Sequence, residues 1–327
     1  MENYEKELLD KLYDTYGFPF DLTRDILAEK GMTADEETFK KCMNEQREKA
    51  RNARKAADGE SWKSDGIAFD GVSATDFLGY TADTCDAAVV DLVCEGEHVG
   101  TAIEGTDVVI VLDKTVFYGE GGGQVGDTGV ISNGNVTVEI TDTKKTVDGI
   151  YTHFGKITNG SISVGDTVTA AFDKDRRDAI RRNHTAAHLL QAALRQVLGT
   201  HVEQAGQLVD ENRVRFDFTH FSALTNEEMK KVEDLVNEEI LRSEAVVVNE
   251  MSIDEAKQIG ATALFSEKYG DTVRVVNMSG YSIELCGGTH LDNTAKVGPF
   301  RKRMDRENVP ISKFIAIFGD ISNYISI

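Results

Sequence analysis

DKDRRDAIRRNHTAAHLLQAALRQVLG, residues 173–199, is the stretch that separates two textures of sequence. Its apolar residues recur at helical spacing, and the run stops at Gly199, a natural helix C-terminus. Before it, from about residue 61 to 172, short Val, Ile and Thr runs (AAVVDLVC, DVVIVLD, NVTVEITD, DTVTAAF) are split by glycine, aspartate and asparagine. That pattern predicts a β-barrel or sandwich. After Gly199 come a strand pattern, RVRFDF, and a second helix opened by Thr225 and Glu228, with Met229, Val232, Leu235, Val236 and Ile240 on one face. A hairpin, VRVVNM-SG-YSIEL, then delivers the chain into CGGTH. At the other end, Thr33 and Glu36 are spaced as a capping box that opens a charged helix running to Asp58-Gly59. The expected class is α+β: a helical leader over 1–60, a β-barrel domain over 61–172, a two-layer α+β domain over 173–300, and a tail over 301–327.

The chemistry concentrates in the last folded region. His184 and His188 sit four apart on the predicted helix, so both imidazoles project from one face and can converge on one ion. Alone, such a pair is more often a surface or satisfied core feature. Cys286-Gly-Gly-Thr-His290 adds a thiolate and an imidazole joined by a tight loop whose glycines let the backbone fold round a metal. Together they make a His3Cys set of the ligand types zinc prefers. Thr185 follows His184 where the HExxH motif of metalloproteases has its glutamate, so no general base is placed there and protease activity is not expected. Four protein ligands fill a tetrahedral zinc, which favours an ion that shapes the site and orients a substrate unless one ligand, such as Cys286, yields.

A second motif, FYGEGGGQVGDTG at 117–129, is neither a P-loop nor a dinucleotide fingerprint, because it lacks the Lys-Ser/Thr ending and no helical pattern follows. A glycine-rich loop between strands is by itself more often a turn than a site.

Composition sets the outer bounds. With 56 acidic against 36 basic residues, the net charge of -20 argues against nonspecific binding to nucleic acid but leaves local basic clusters to act. Two stand out: Lys174, Arg176, Arg177, Arg181 and Arg182, and Arg301, Lys302 and Arg303. The plain alternative for each is a solvated helix face. Cys42, Cys85, Cys94 and Cys286 form no CxxC pair, the N-terminus has no apolar signal core, and no stretch reaches ~18 uninterrupted apolar residues, so a cytoplasmic protein with no membrane association is expected.

At HTAAHLLQAALRQVLGTHVEQAGQLV, ALFSEKYGDTVRVV and ELCGGTH, the sequence resembles the editing domain of bacterial-type alanyl-tRNA synthetases. FYGEGGGQVGDTG resembles the loop that precedes that family's editing core, and LYDTYGFPFDLT resembles the end of its tRNA-recognition helices, so the likeness covers residues 10 to about 300. The resemblance implies that zinc is held by His184, His188, Cys286 and His290, and that Gln204 lies in the editing pocket. It implies hydrolysis of serine or glycine esters of alanine tRNA, because a pocket shaped for alanine cannot reject glycine well by size and does not guarantee rejection of serine. Thr185 and Thr289 are candidates for contact with the amino acid or the attacking water, their alternative being to hold the imidazoles. Gly122, Gly123 and Gln124 are candidates for the substrate-facing loop. Arg176, Arg177, Arg181 and Arg182 are candidates for phosphates at the rim.

Two departures qualify the resemblance. No aminoacylation domain precedes LYDTYGFP, so a fragment or split subunit is expected, unable to charge tRNA alone and served by a separate aminoacylation subunit. Free-standing editing proteins of this family lack such a leader. After NTAKVGPF the likeness fails, and RKRMDRENVPISKFIAIFGDISNYISI reads as a diverged or frame-shifted end whose apolar stretch, Phe314 to Ile327, needs a core to join. The expected partner is the acceptor end of alanine tRNA. The competing readings are a noncatalytic zinc-containing tRNA-binding module and the product of a truncated synthetase gene. The editing domain of threonyl-tRNA synthetases has a related fold; the leader and the GGGQ loop favour alanine.

Overall fold

A computed structural model describes residues 67–262, 270–303 and 313–317. The expected helical leader over 1–60, with its capping box at Thr33 and Glu36, lies outside the described residues. Six longer strands come first: β1 (Thr84–Cys94), β2 (Asp107–Leu112), β3 (Gly129–Asn133), β4 (Val136–Lys145), β5 (Tyr151–Ser163) and β6 (Thr167–Phe172). Their antiparallel pairings run β1–β2–β5–β4–β3–β6 and return from β6 to β1, so the sheet closes on itself and leaves none of the six as a free edge. The barrel-or-sandwich alternative is thereby settled for a barrel. Alternation fills it: Val136, Val138 and Ile140 of β4 are buried at every second position, and they join Leu92, Ile110, Ile131, Ile157 and Val168 in one core.

Helix α1 (Lys174–Leu198) begins directly after β6. Asp173 caps it by accepting the Arg176 N–H, and the Gly199 N–H closes the other end on the Arg195 carbonyl with φ at 114°, a conformation that suits glycine. Next come β7 (Gln204–Val209), β8 (Arg213–Phe218) and α2 (Asn226–Leu241), the last opened by the reciprocal capping box of Thr225 and Glu228. They are followed by β9 (Val246–Ser252), the short α3 (Ile253–Gln258), β10 (Thr272–Met278), β11 (Ser282–Leu285), β12 (Lys302–Arg303) and β13 (Lys313–Ile317). The hairpin β10–β11 turns through Ser279 and Gly280, both with positive φ as a type I′ turn requires.

Two sheets share the helices. One has the order β7–β8–β13–β12 and the other β9–β10–β11. Ile180, Leu190 and Leu194 of α1, Phe216 and Phe218 of β8, Val232 and Val236 of α2, and Val276 and Met278 of β10 form a second core separate from the barrel's. Full burial of each such side chain contributes ~1.5–3 kcal/mol. Part of the tail finds a place: the backbone of Lys313–Ile317 pairs antiparallel with β8, Phe216 opposite Phe314. Among the described residues, no helix is long and apolar enough to cross a membrane.

Candidate metal centre and pocket

The four donors predicted from spacing meet in space. His184 and His188 project from successive turns of α1, while Cys286 and His290 lie just beyond the end of β11, and one ligand atom from each lies within 4.8 Å of the others. The Cys286 Sγ is 3.6 Å from His184 Nε2 and 3.3 Å from His290 Nε2. This donor set could hold a metal ion. Burial pushes all three imidazoles below their usual range, His188 to about 3, with the neighbouring histidines and the Arg274 guanidinium adding to the effect at His290. Neutral imidazole is the form that ligates a metal.

Outer groups fix the donors. His188 Nδ1 lies 3.1 Å from the Glu284 carboxyl without a hydrogen bond to it, and that buried carboxyl accepts a hydrogen bond from the Ser282 hydroxyl. Burial raises the Glu284 carboxyl to about 8, partly opposed by Ser282 and Arg195. Arg274 of β10 donates to the carbonyls of Cys286 (2.9 Å) and Gly288 (2.7 Å), and its guanidinium lies 4.0 Å from the centre of the Tyr80 ring. The Tyr80 hydroxyl reaches the Gly287 carbonyl at 2.5 Å. The loop leaves no room at Gly288, where a Cβ would lie 2.1 Å from the His184 ring.

Beside the donors opens a pocket of about 270 Å³. Its walls are His184, His188 and Cys286 on one side, Gln204 and Phe216 on another, and Tyr80, Tyr118, Gly119–Gly122, Lys145 and Tyr151 from the barrel side. Gln204 is 9% exposed, and its Nε2 has no hydrogen-bond partner.

Several expected site residues sit elsewhere. Thr185 and Thr289 do not line the pocket: the buried Thr185 Oγ1 accepts the Leu291 N–H, and Thr289 bonds to Gln124. Thr185 thereby ties α1 to the residue just past the CGGTH loop, and Thr289 ties that loop to Gln124, neither hydroxyl bonding an imidazole. Gly122 reaches the pocket wall, whereas Gln124 is fully buried and turned toward Thr289 and His184. Gly123 has φ of 81° and presses so close to β7 that a Cβ would meet Gln207 at 2.5 Å.

The basic run on α1 divides likewise. Arg177 is not at the rim: it is fully buried, paired with Asp127, donating to the carbonyls of Gly79 and Val116, and stacked 3.9 Å from the centre of the Phe172 ring. Arg176 is half-buried, 3.2 Å from Glu211 and donating to Gly126. Arg181 is half-buried against Asp178, and Arg182 is half-buried as well. Sequence reading missed Tyr80, Tyr151 and Lys145, which carry no motif, and passed over Tyr118 and Glu284, which lie inside the quoted segments FYGEGGGQVGDTG and ELCGGTH.

The family model for tRNA synthetases class II (A) matches residues 2–176, more than half of the 327-residue chain. That for the threonyl and alanyl tRNA synthetase second additional domain matches residues 273–308. The alanine–tRNA ligase of Acetivibrio thermocellus is 52% identical over 293 residues, 89% of this chain and 33% of the relative. That of Clostridioides difficile is 52% identical over 292 residues, and that of Bacillus subtilis 47% over 291, each at the same coverage of both chains. The chain therefore spans about a third of the length of the curated relatives it matches. With the motifs in place and the likeness running through nearly nine-tenths of its residues, this chain belongs to the alanyl-tRNA synthetase family.

Proposed function

We propose that this chain hydrolyses the ester of seryl- or glycyl-tRNA specific for alanine, using the pocket beside the His184–His188–Cys286–His290 cluster. The observation that carries the reading is the contact between that donor set and a small pocket lined by Gln204, whose Nε2 has no partner. Pockets for small ligands usually run ~300–1,000 Å³, so this one suits the small aminoacyl end of a substrate rather than a large ligand.

The donor set fits zinc: one thiolate and three neutral imidazoles, one of them, His184, already held through its Nδ1 by Gln124. When bound, zinc supplies a positive centre that polarises and orients the polar groups of the aminoacyl moiety. Gln204 donates its free Nε2–H to the carbonyl oxygen of the ester, where negative charge grows as water adds to the carbonyl carbon. The bond from that carbon to the ribose oxygen breaks, and the proton released by the water ends on the ribose hydroxyl. Lys145, whose Nζ lies 5.2 Å from the centre of the Tyr151 ring, offers its charge to the terminal phosphate at the mouth. Arg182 serves the same backbone further out. The partner is the acceptor end of alanine tRNA.

The test compares release of serine and of alanine from the corresponding charged alanine tRNAs by the zinc-loaded protein, with Cys286→Ala as control. Faster serine release, lost in the control, is expected. Equal rates on the two substrates, or no release from a folded, zinc-loaded protein, would overturn the proposal.

A further inference from the structure

The side chain of Gln124 spans the two halves of the donor set, although it comes from the barrel's glycine-rich loop, 60 residues before His184 and 165 before Thr289. Its Oε1 faces His184 Nδ1 at 2.8 Å and the Thr289 backbone N–H at 2.9 Å, and its Nε2 donates to Thr289 Oγ1 at 3.0 Å. These contacts fix which amide atom is which. The Thr289 backbone N–H can only donate, so the atom facing it must be the amide oxygen. The same oxygen can only accept from His184, so Nδ1 of that imidazole carries the proton. The lone pair is therefore on Nε2, the nitrogen that faces the Cys286 sulfur.

The backbone makes this grip rigid. Gly121 and Gln124 exchange two hydrogen bonds across the turn, Val209 donates to the Gly123 carbonyl at 2.7 Å, and Val125 donates to the Val209 carbonyl at 3.1 Å. The chain is thus tied to the end of β7 on both sides of Gln124, and the side chain is fully buried. On the far side of the loop, Tyr80 bonds to Gly287, so the barrel holds CGGTH at two points.

From this geometry we infer that Gln124 is a positioning residue of the metal centre, fixing the tautomer of His184 and tying it to the CGGTH loop. It is not a substrate contact. The inference rests on the reading of the donor set as a zinc site, and it makes the barrel part of that site.

The experiment measures zinc release to a chromophoric chelator from the full chain, and the absorption bands of the cobalt-substituted protein, for wild type, Gln124→Leu and Gln124→Glu. The Leu variant removes the acceptor and is expected to lose zinc ~10- to 100-fold faster with altered cobalt bands, the range typical of outer-sphere partners of metal-bound histidines. The Glu variant keeps an acceptor for both N–H groups, and the Thr289 hydroxyl can turn to donate to it, so near wild-type release is expected. Unchanged release in the Leu variant, or equal loss in both variants, would overturn the inference, the second because it would report packing rather than hydrogen bonding. A wild-type protein that takes up no stoichiometric zinc would overturn the zinc reading as well, and the deacylation assay judges the editing proposal separately.

Discussion

Replacing Asp127 by asparagine leaves the shape of its site almost unchanged and removes one charge, and the structure makes that charge expensive to lose. Arg177 is fully buried, and its guanidinium brings a charge that needs a partner there. Asp127 supplies its counter-charge through contacts to Nε and Nη2, while also accepting the Tyr118 N–H at 2.7 Å. The carbonyls of Gly79 and Val116 satisfy remaining donors but carry only partial charge. Breaking a buried pair from one side costs ~3–5 kcal/mol because the survivor is left uncompensated. For a unit of this size each kcal/mol lowers the melting point by about 2–4 °C, so Asp127→Asn should melt roughly 6–20 °C below wild type. Arg177→Met should fall in the same direction, and the double variant should cost less than the two singles added together. Thermal and urea unfolding of the full chain measure this. A change below about 1 kcal/mol in Asp127→Asn would refute the buried-pair reasoning. Should Arg177→Met instead keep its stability and flatten the salt dependence of tRNA binding by about one unit of slope, Arg177 would be the phosphate contact that its place in a basic run first suggested.

Two further outcomes are expected. Gly288→Ala should lose stoichiometric zinc, because its Cβ would lie 2.1 Å from the His184 ring and 3.0 Å from Gln124 Oε1, whereas Gly287→Ala, with nothing within 4 Å of its Cβ, should keep it; metal content by elemental analysis decides, and equal occupancy would contradict the close packing of Gly288 on His184. His153 is buried as a neutral ring, donating from Nδ1 to Ile110 and accepting the Thr115 hydroxyl at Nε2, and burial lowers its pKa to about 4. Well above pH 6.5 it is neutral folded and unfolded and carries no pH dependence. As pH falls from 6.5 toward 4 the unfolded state binds the proton first, so stability is lost across that window, by roughly 3 kcal/mol in all. His153→Gln should shed that part of the slope in urea unfolding at several pH values; an unchanged slope would mean the ring is protonated in the fold.

The parts that sequence revealed are those whose chemistry is local. A capping box at Thr225 and Glu228, a glycine ending α1, and a strand–turn–strand around Ser279-Gly280 each depend on neighbours within a few residues, and each occurs where the pattern put it. The His184–His188 spacing and the CGGTH loop are local as well, so four donors could be named before their meeting was seen. The pocket's opposite wall is not local. Tyr80, Tyr118, Lys145 and Tyr151 come from separate barrel segments, and their convergence follows from the closure of the sheet and the seat of the glycine loop on β7.

One misplacement had a signal within reach. Arg177 precedes His184 by seven residues, two helical turns, so it lies on the face that carries His184 and His188 into the interior. A face committed to buried metal donors cannot return to solvent two turns earlier unless the neighbouring structure ends there, and the barrel does not end: Asp127 follows the glycine loop and meets the same face. Arg176 and Arg182 sit on other faces and keep partial exposure. Reading the basic run as one cluster discarded the period that separates its members. Taken by period, the same stripe runs Arg177, Arg181, His184, His188 and Gln191, and its first member and its central histidine are both held by the 117–129 segment, through Asp127 and Gln124. That segment therefore binds α1 at two successive points, which makes the orientation of His184 depend on how the barrel seats against the helix, and predicts that loosening Arg177 should also speed zinc loss.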